Sequence, residues 1–113
     1  MEIGEYSFGS IVIDGKKYKS DVIIYRDHVD SNWWRVEGHS LCKKDIEGVI
    51  KEKPQVVVVG TGNFGFMSVS DEIVRLMKNE GIDLIIQKTE KACKTFNKLK
   101  KEKDVIACLH LTC

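Results

Sequence analysis

Five consecutive residues, Val56-Val57-Val58-Val59-Gly60, offer no polar side chain on either side of the backbone. A strand with one face in water alternates apolar and polar residues, so this run is a strand covered on both faces, as in the middle of a parallel sheet. Parallel neighbours need crossover connections, and the residues that follow supply them. Ser68 or Ser70 can cap a helix whose first turn holds Asp71 and Glu72, whose buried stripe is Ile73, Leu76 and Met77, and which Gly81 ends. Residues 82–87 form the next strand. Thr89 can cap another helix with Ala92, Cys93, Phe96 and Leu99 turned inward, and 105–111 is the last strand. Strand, helix, strand, helix, strand in short steps is the pattern of right-handed βαβ units.

The front of the chain reads differently. Residues 7–13 and 16–25 form paired strands around Asp14-Gly15, a dipeptide that accepts the positive φ of a tight hairpin turn. Residues 26–42 are irregular, with Trp33-Trp34-Arg35-Val36 as a short extra strand or a loop anchored by one indole. From Lys43 the period lengthens: Ile46, Val49 and Ile50 fall on one helical face until Pro54 halts it. The result is a single α/β domain over residues 1–113, with a largely parallel sheet and an N-terminal β-hairpin segment.

Composition narrows the function classes. A hydrophobic fraction of 42% and a charged fraction of 31% are those of an ordinary folded domain, and 113 residues can bury roughly two-thirds of the unfolded surface. A net charge of +1 draws the chain to neither nucleic acid nor an anionic bilayer. No apolar run approaches the roughly 20 residues of a bilayer span. The acidic start, Met1-Glu2-Ile3-Gly4-Glu5, lacks the basic and apolar regions of a secretion signal, and the expected compartment is the cytoplasm. The four scattered cysteines suit reduced thiols rather than a disulfide framework.

Trp34-Arg35 with Gly38-His39, Gly60-Thr61-Gly62 after an apolar strand, Met67-Ser68-Val69-Ser70, Gly81-Ile82, Thr89-Glu90-Lys91-Ala92, Phe96-Asn97 and the closing Leu109-His110-Leu111-Thr112-Cys113 carry a resemblance across nearly the whole chain. In these residues the chain resembles a family of small uncharacterised α/β domains of archaea and bacteria. The family's eukaryotic relatives include an adipogenesis-associated protein and a mitochondrial complex I assembly factor. The resemblance implies a three-layer α/β fold with a central mixed, mostly parallel sheet and an N-terminal β segment, and it implies no particular chemistry.

Four signals concern function. Gly60-Thr61-Gly62-Asn63-Phe64-Gly65 matches the glycine spacing of a dinucleotide-binding turn, but a helix does not open directly from it and Gln87-Lys88 stands where a ribose-binding acid belongs. It reads as a structural or anion-tolerant turn, and no cofactor is expected. Cys108, His110 and Cys113 suggest zinc, yet strand alternation lets at most two of them converge, so they read as buried thiols and a hydrogen-bonded histidine, with no metal. Lys91, Lys94, Lys98, Lys100, Lys101 and Lys103 make the last helix basic, but Phe96 belongs to the core and leaves no stacking platform for nucleic acid. Cys93, on the apolar stripe, reads as inert.

Two functions remain. The favoured one is a non-enzymatic interaction or assembly protein with an unknown protein partner, in keeping with the missing catalytic set and the assembly role found among the family's mitochondrial relatives. The alternative is a small-molecule or anion-binding enzyme with its pocket at the carboxyl ends of the parallel strands. Its candidate residues are Gly60, Thr61, Gly62, Asn63, Gly65, Lys88 and Thr89, joined by Arg35 and His39 if the irregular segment folds over the sheet edge. An anion would then sit at the glycine turn rather than along the lysine-rich helix. The sequence assigns no oligomeric state.

Overall fold

In the computed structural model, which describes residues 1–113, the chain opens with three antiparallel strands, β1 (Ile3–Ser7), β2 (Ser10–Ile13) and β3 (Lys16–Tyr18). Asp14 (φ 50°) and Gly15 (φ 80°) turn the chain between β2 and β3 in the left-handed conformation that a two-residue hairpin needs. Beyond them lie β4 (Val22–Ile24), β5 (Val29–Asp30), β6 (Ser40–Leu41) and a 3-10 turn (Lys43–Ile46) that runs into α1 (Glu47–Lys51). The rest is β7 (Val56–Thr61), β8 (Ser68–Val69), α2 (Asp71–Asn79), β9 (Asp83–Gln87), α3 (Thr89–Leu99) and β10 (Val105–His110).

The central sheet has the order β5-β4-β10-β7-β9. Strands β10, β7 and β9 are parallel, while β4 and β5 add antiparallel to one side. Every residue of β7 is buried, and its valines alternate between two cores as a pleated strand requires. Val56 and Val58 face α3 and the N-terminal strands, in a cluster with Ile11, Ile13, Phe96 and Leu109. Val57 and Val59 face the other way, with Ile46, Val49, Ile73, Met77 and Met67. Three layers follow directly: a sheet apolar on both faces must be covered on both.

Several local expectations change. The run 7–13 begins in a turn at Phe8-Gly9, because β1 already pairs with β2 upstream of it. The run 16–25 is two strands: β3 stays in the hairpin, and β4 crosses to the central sheet, where Ile23 pairs with Cys108. Segment 26–42 is mainly a loop anchored by one indole, since Trp33 is buried and Trp34 is 83% exposed, though it contributes the two-residue strands β5 and β6. Ser70 caps α2 by accepting from Ile73 N, as expected. Thr89 does not cap α3; Lys88 holds the cap position, and the Thr89 hydroxyl works elsewhere.

Val57 and Val58 point to opposite cores and are both fully buried. Val57→Asp and Val58→Asp are therefore each expected to cost about 3 kcal/mol or more by burying an unpaired carboxylate. Thermal melts check this; a variant melting within a few degrees of the parent would mean that one side of β7 is open to water.

Candidate functional site

The carboxyl ends of parallel strands are where open α/β sheets place ligands. Here that edge is crossed by the residues following β10. Gly9 N donates to Leu111 O (2.8 Å), Asn63 N to Thr112 O (2.6 Å) and Phe66 N to Cys113 O (2.9 Å). Thr89 closes the joint: its hydroxyl donates to His110 O (2.5 Å) and accepts from Gly62 N (2.8 Å), while its own N–H donates to Gly62 O (3.1 Å). The glycines are there for clearance. A Cβ at Gly60 would stand 2.8 Å from Thr89 Oγ1, and one at Gly62 (φ 106°) would overlap the Cys113 carbonyl and lie 2.9 Å from His110 Cδ2.

The turn therefore uses much of its donor capacity on the chain itself. The N–H groups of Gly62, Asn63, Phe66 and Met67 all have protein acceptors, Met67 N donating to Thr61 O at 3.1 Å. The Thr61 hydroxyl donates to Gln87 O (3.2 Å). The Lys88 stem lies along Gly65, 3.3 Å from where a Cβ would be. Gly60, Thr61, Gly62, Asn63, Gly65, Lys88 and Thr89 thus do meet at one edge.

Arg35 and His39 reach the same edge from the irregular segment, and both meet His110. The Arg35 Nη2 is 3.0 Å from His110 Nδ1, and the His39 ring stands edge-on to His110 with centroids 5.9 Å apart. The centre of this group is Asp21. Its Oδ2 lies 2.8 Å from His110 Nδ1 and 2.7 Å from Arg35 Nη1, and its Oδ1 accepts from Leu111 N (2.7 Å). The Arg35 Nη1 contact is ionic, since it is off the line that a hydrogen bond needs. Arg35 Nε and Nη2 also donate to Gly38 O, and its guanidinium lies 4.8 Å from the Trp33 ring centroid.

A ring nitrogen cannot donate to Asp21 and accept from Arg35 at once. The carboxylate, as the stronger acceptor, assigns the proton to Nδ1 and leaves Nε2 buried without a partner. Burial raises the Asp21 carboxyl, but hydrogen bonds from His110 and Leu111 and the adjoining Arg35 guanidinium together outweigh it, and the net effect is to lower it. Asp21 thus orients the His110 ring, and no hydroxyl or thiol lies within hydrogen-bonding reach of its Nε2. No three His, Cys, Asp or Glu side chains converge as metal ligands, and Cys93 and Cys108 have thiols pushed by burial to about 12. A cavity of about 300 Å³ lies between Ser20-Asp21 and segment 32–38, with Asp21, Arg35, Trp33 and Trp34 in its walls.

The other notable surface is apolar. Phe8, Phe64 and Phe66 are 54%, 54% and 65% exposed, and their rings follow one another at 6.0 and 5.9 Å. The sequence reading missed both Asp21 and this cluster. One signal was present for the first, a lone acid directly before Val22-Ile23-Ile24; the second depends on Phe8 meeting Phe64 across the fold.

This architecture, a three-layer mixed α/β domain with its carboxyl edge closed by the residues after its last strand, defines a class of small α/β domains built on one central mixed sheet. The chain belongs to the DUF498/DUF598 family of proteins of unknown function, which it matches over residues 3–110. A conserved hypothetical protein from Pyrococcus horikoshii has the same fold, with a TM-score of 0.86 and 29% identity over 100% of both chains. The crystal structure of an outer membrane protein from Bartonella henselae superposes with a TM-score of 0.83 at 22% identity, covering 97% of this chain and 93% of that one. A 13 kDa major membrane protein of Francisella tularensis is 24% identical over 96% of this chain and 79% of its own length. In the present chain no helix is long and apolar enough to cross a membrane.

Two outcomes follow from this geometry. Asp21 holds its proton less tightly folded than unfolded, so its stabilisation is present above the ordinary value of 3.8 and is lost as pH falls from there through the lower folded value. Asp21→Asn should lower the melting temperature at neutral pH and flatten its decline in acid; an acid decline as steep as the parent's would show that other carboxylates set it. Gly62→Ala should cost about 2 kcal/mol or more, because the added methyl meets backbone rather than a movable side chain. Equilibrium urea unfolding measures it, and a change under about 0.5 kcal/mol would mean that residues 111–113 yield freely.

Proposed function

We propose that this domain is a non-enzymatic interaction module that grips a protein partner at the carboxyl edge of its parallel sheet. The observation that carries this reading is the exposed Phe8–Phe64–Phe66 cluster. Three rings from two distant parts of the chain form a continuous apolar surface in water, at a place where much of the backbone beneath already has protein acceptors. Isolated exposed phenylalanines need no explanation, but a tiled group of them does. Its sequence neighbours Ser7 and Asn63 are neutral and polar, and one cation, Lys88, lies along Gly65 between Phe64 and Phe66. An aromatic centre with a mostly polar rim suits a protein interface, whereas a face that settles on an anionic bilayer carries several interleaved Lys and Arg. Two relatives bear membrane-protein names, so attachment to a protein at a membrane is compatible with this reading.

A second reading keeps one specific support: the cavity floored by Asp21 and Arg35 could hold a small polar molecule. The one hydroxyl in its wall, Ser20, donates to Ser31 O rather than to a base, so this second reading is one of binding.

The test uses a photo-cross-linking residue at position 64 in the intact chain to identify the partner, followed by calorimetry with the purified pair. Phe64→Ser with Phe66→Ser should weaken that complex by roughly tenfold or more, since exposed rings at an interface centre carry much of its affinity, with little change in melting temperature. Equal affinity in parent and variant would sink the proposal. So would co-sedimentation of the protein with anionic vesicles that the same two substitutions abolish.

A further inference from the structure

The geometry points to a second docking surface beyond the aromatic one: the open edge of β9, which we infer receives an extended acidic peptide segment as an added strand. The central sheet has two edges, and they are not alike. At one end β5 is two residues long and carries Asp30. At the other, β9 runs for five residues and pairs only with β7. The outward half of its N–H and C=O groups has no neighbouring strand, which is the arrangement that peptide strands add to.

Natural proteins usually blunt such an edge with a charge or proline on the strand itself. Here the strand reads Asp83-Leu84-Ile85-Ile86-Gln87, its one charge lies at the first residue, and Ile86 is 43% exposed. The basic groups stand beside the strand. Lys88, Lys91 and Lys94, spaced three apart from the cap of α3 onward, line a cavity of about 690 Å³ with Ile86, Gln87 and Glu90. None of the three lysines has a carboxylate within salt-bridge distance. Three cations against one anion is a local excess in a chain whose net charge is only +1.

The arrangement selects a peptide over a small anion. A cup for phosphate needs donors converging on one point, whereas lysines three apart along a helix form a row with a rise of roughly 4.5 Å per step. Alternate residues of an added strand repeat at roughly 6.6 Å on one face, close enough for flexible lysine stems to meet successive acidic side chains. Main-chain pairing would hold the peptide, Ile86 would take an apolar side chain, and the lysines would select acidic ones.

Amide NMR on the isotope-labelled full chain tests this, using a short capped peptide alternating Glu and Val and the counterpart with Lys for Glu. The Glu peptide should give saturable shifts in β9, intermolecular backbone contacts to β9, and an affinity that falls as salt rises. Lys91→Glu with Lys94→Glu should weaken it roughly tenfold or more, and the Lys peptide should not bind. Phe64→Ser with Phe66→Ser should leave the Glu peptide bound, so failure of the aromatic surface and failure of this one are distinguishable. Shifts in α3 without β9, displacement by inorganic phosphate at equal concentration, or pairing of β9 with β9 of a second copy in place of the peptide would each overturn the inference.

Discussion

Strand β10 lies between β4 and β7, and every face of the sheet depends on that insertion. It pairs antiparallel with a strand from the first quarter of the chain and parallel with one from the middle. Its residues Val105, Ala107 and Leu109 complete one core, and Ile106 and Cys108 complete the other. Neither core can close before the last strand arrives. Such long-range pairing slows folding, because the entropy of closing the loop is lost before any contact rewards it.

Where β10 ends, apolar packing gives way to a polar knot. Thr89, Gly62 and the His110 carbonyl fix the residues beyond the strand from one side; Asp21, through His110 Nδ1 and Leu111 N, fixes them from the other. A carboxylate so little exposed is tolerable only because each oxygen has a donor and a guanidinium stands beside it. The glycine spacing that resembles a nucleotide-binding turn serves this knot. In a nucleotide site glycines admit a pyrophosphate to the backbone; here they admit the protein's own main chain.

The legible parts of the fold were those set by local periodicity. The all-apolar β7, the stripe of α2 and its Ser70 cap could be read because each is decided within a few residues. The division of 16–25 between two sheets could not, because Val22-Ile23-Ile24 is equally suited to either and only the arrival of β10 decides. Thr89 illustrates the same limit: a hydroxyl at a helix start is a sound capping signal, overridden by a distant glycine and a distant carbonyl. At the site, the glycine turn with Lys88 and Thr89 could be assembled from strand ends, and Arg35 and His39 by supposing that their segment folds over the edge. Asp21 could not, since its meaning comes from His110, 89 residues later.

Adjacent tryptophans at 33 and 34 present the fold with two nearly identical plugs for one hole. Shape alone hardly distinguishes them, since the Trp33 Nε1–H bond to the Asp45 carbonyl could be offered by either indole. Arg35 does distinguish them. A slip by one residue would carry Trp34 inward and set Val36 opposite Asp21, leaving a carboxylate without its cation and a guanidinium without its anion. The ion pair thus works as a proofreading step for the loop, rejecting a threading that hydrophobic packing by itself would accept.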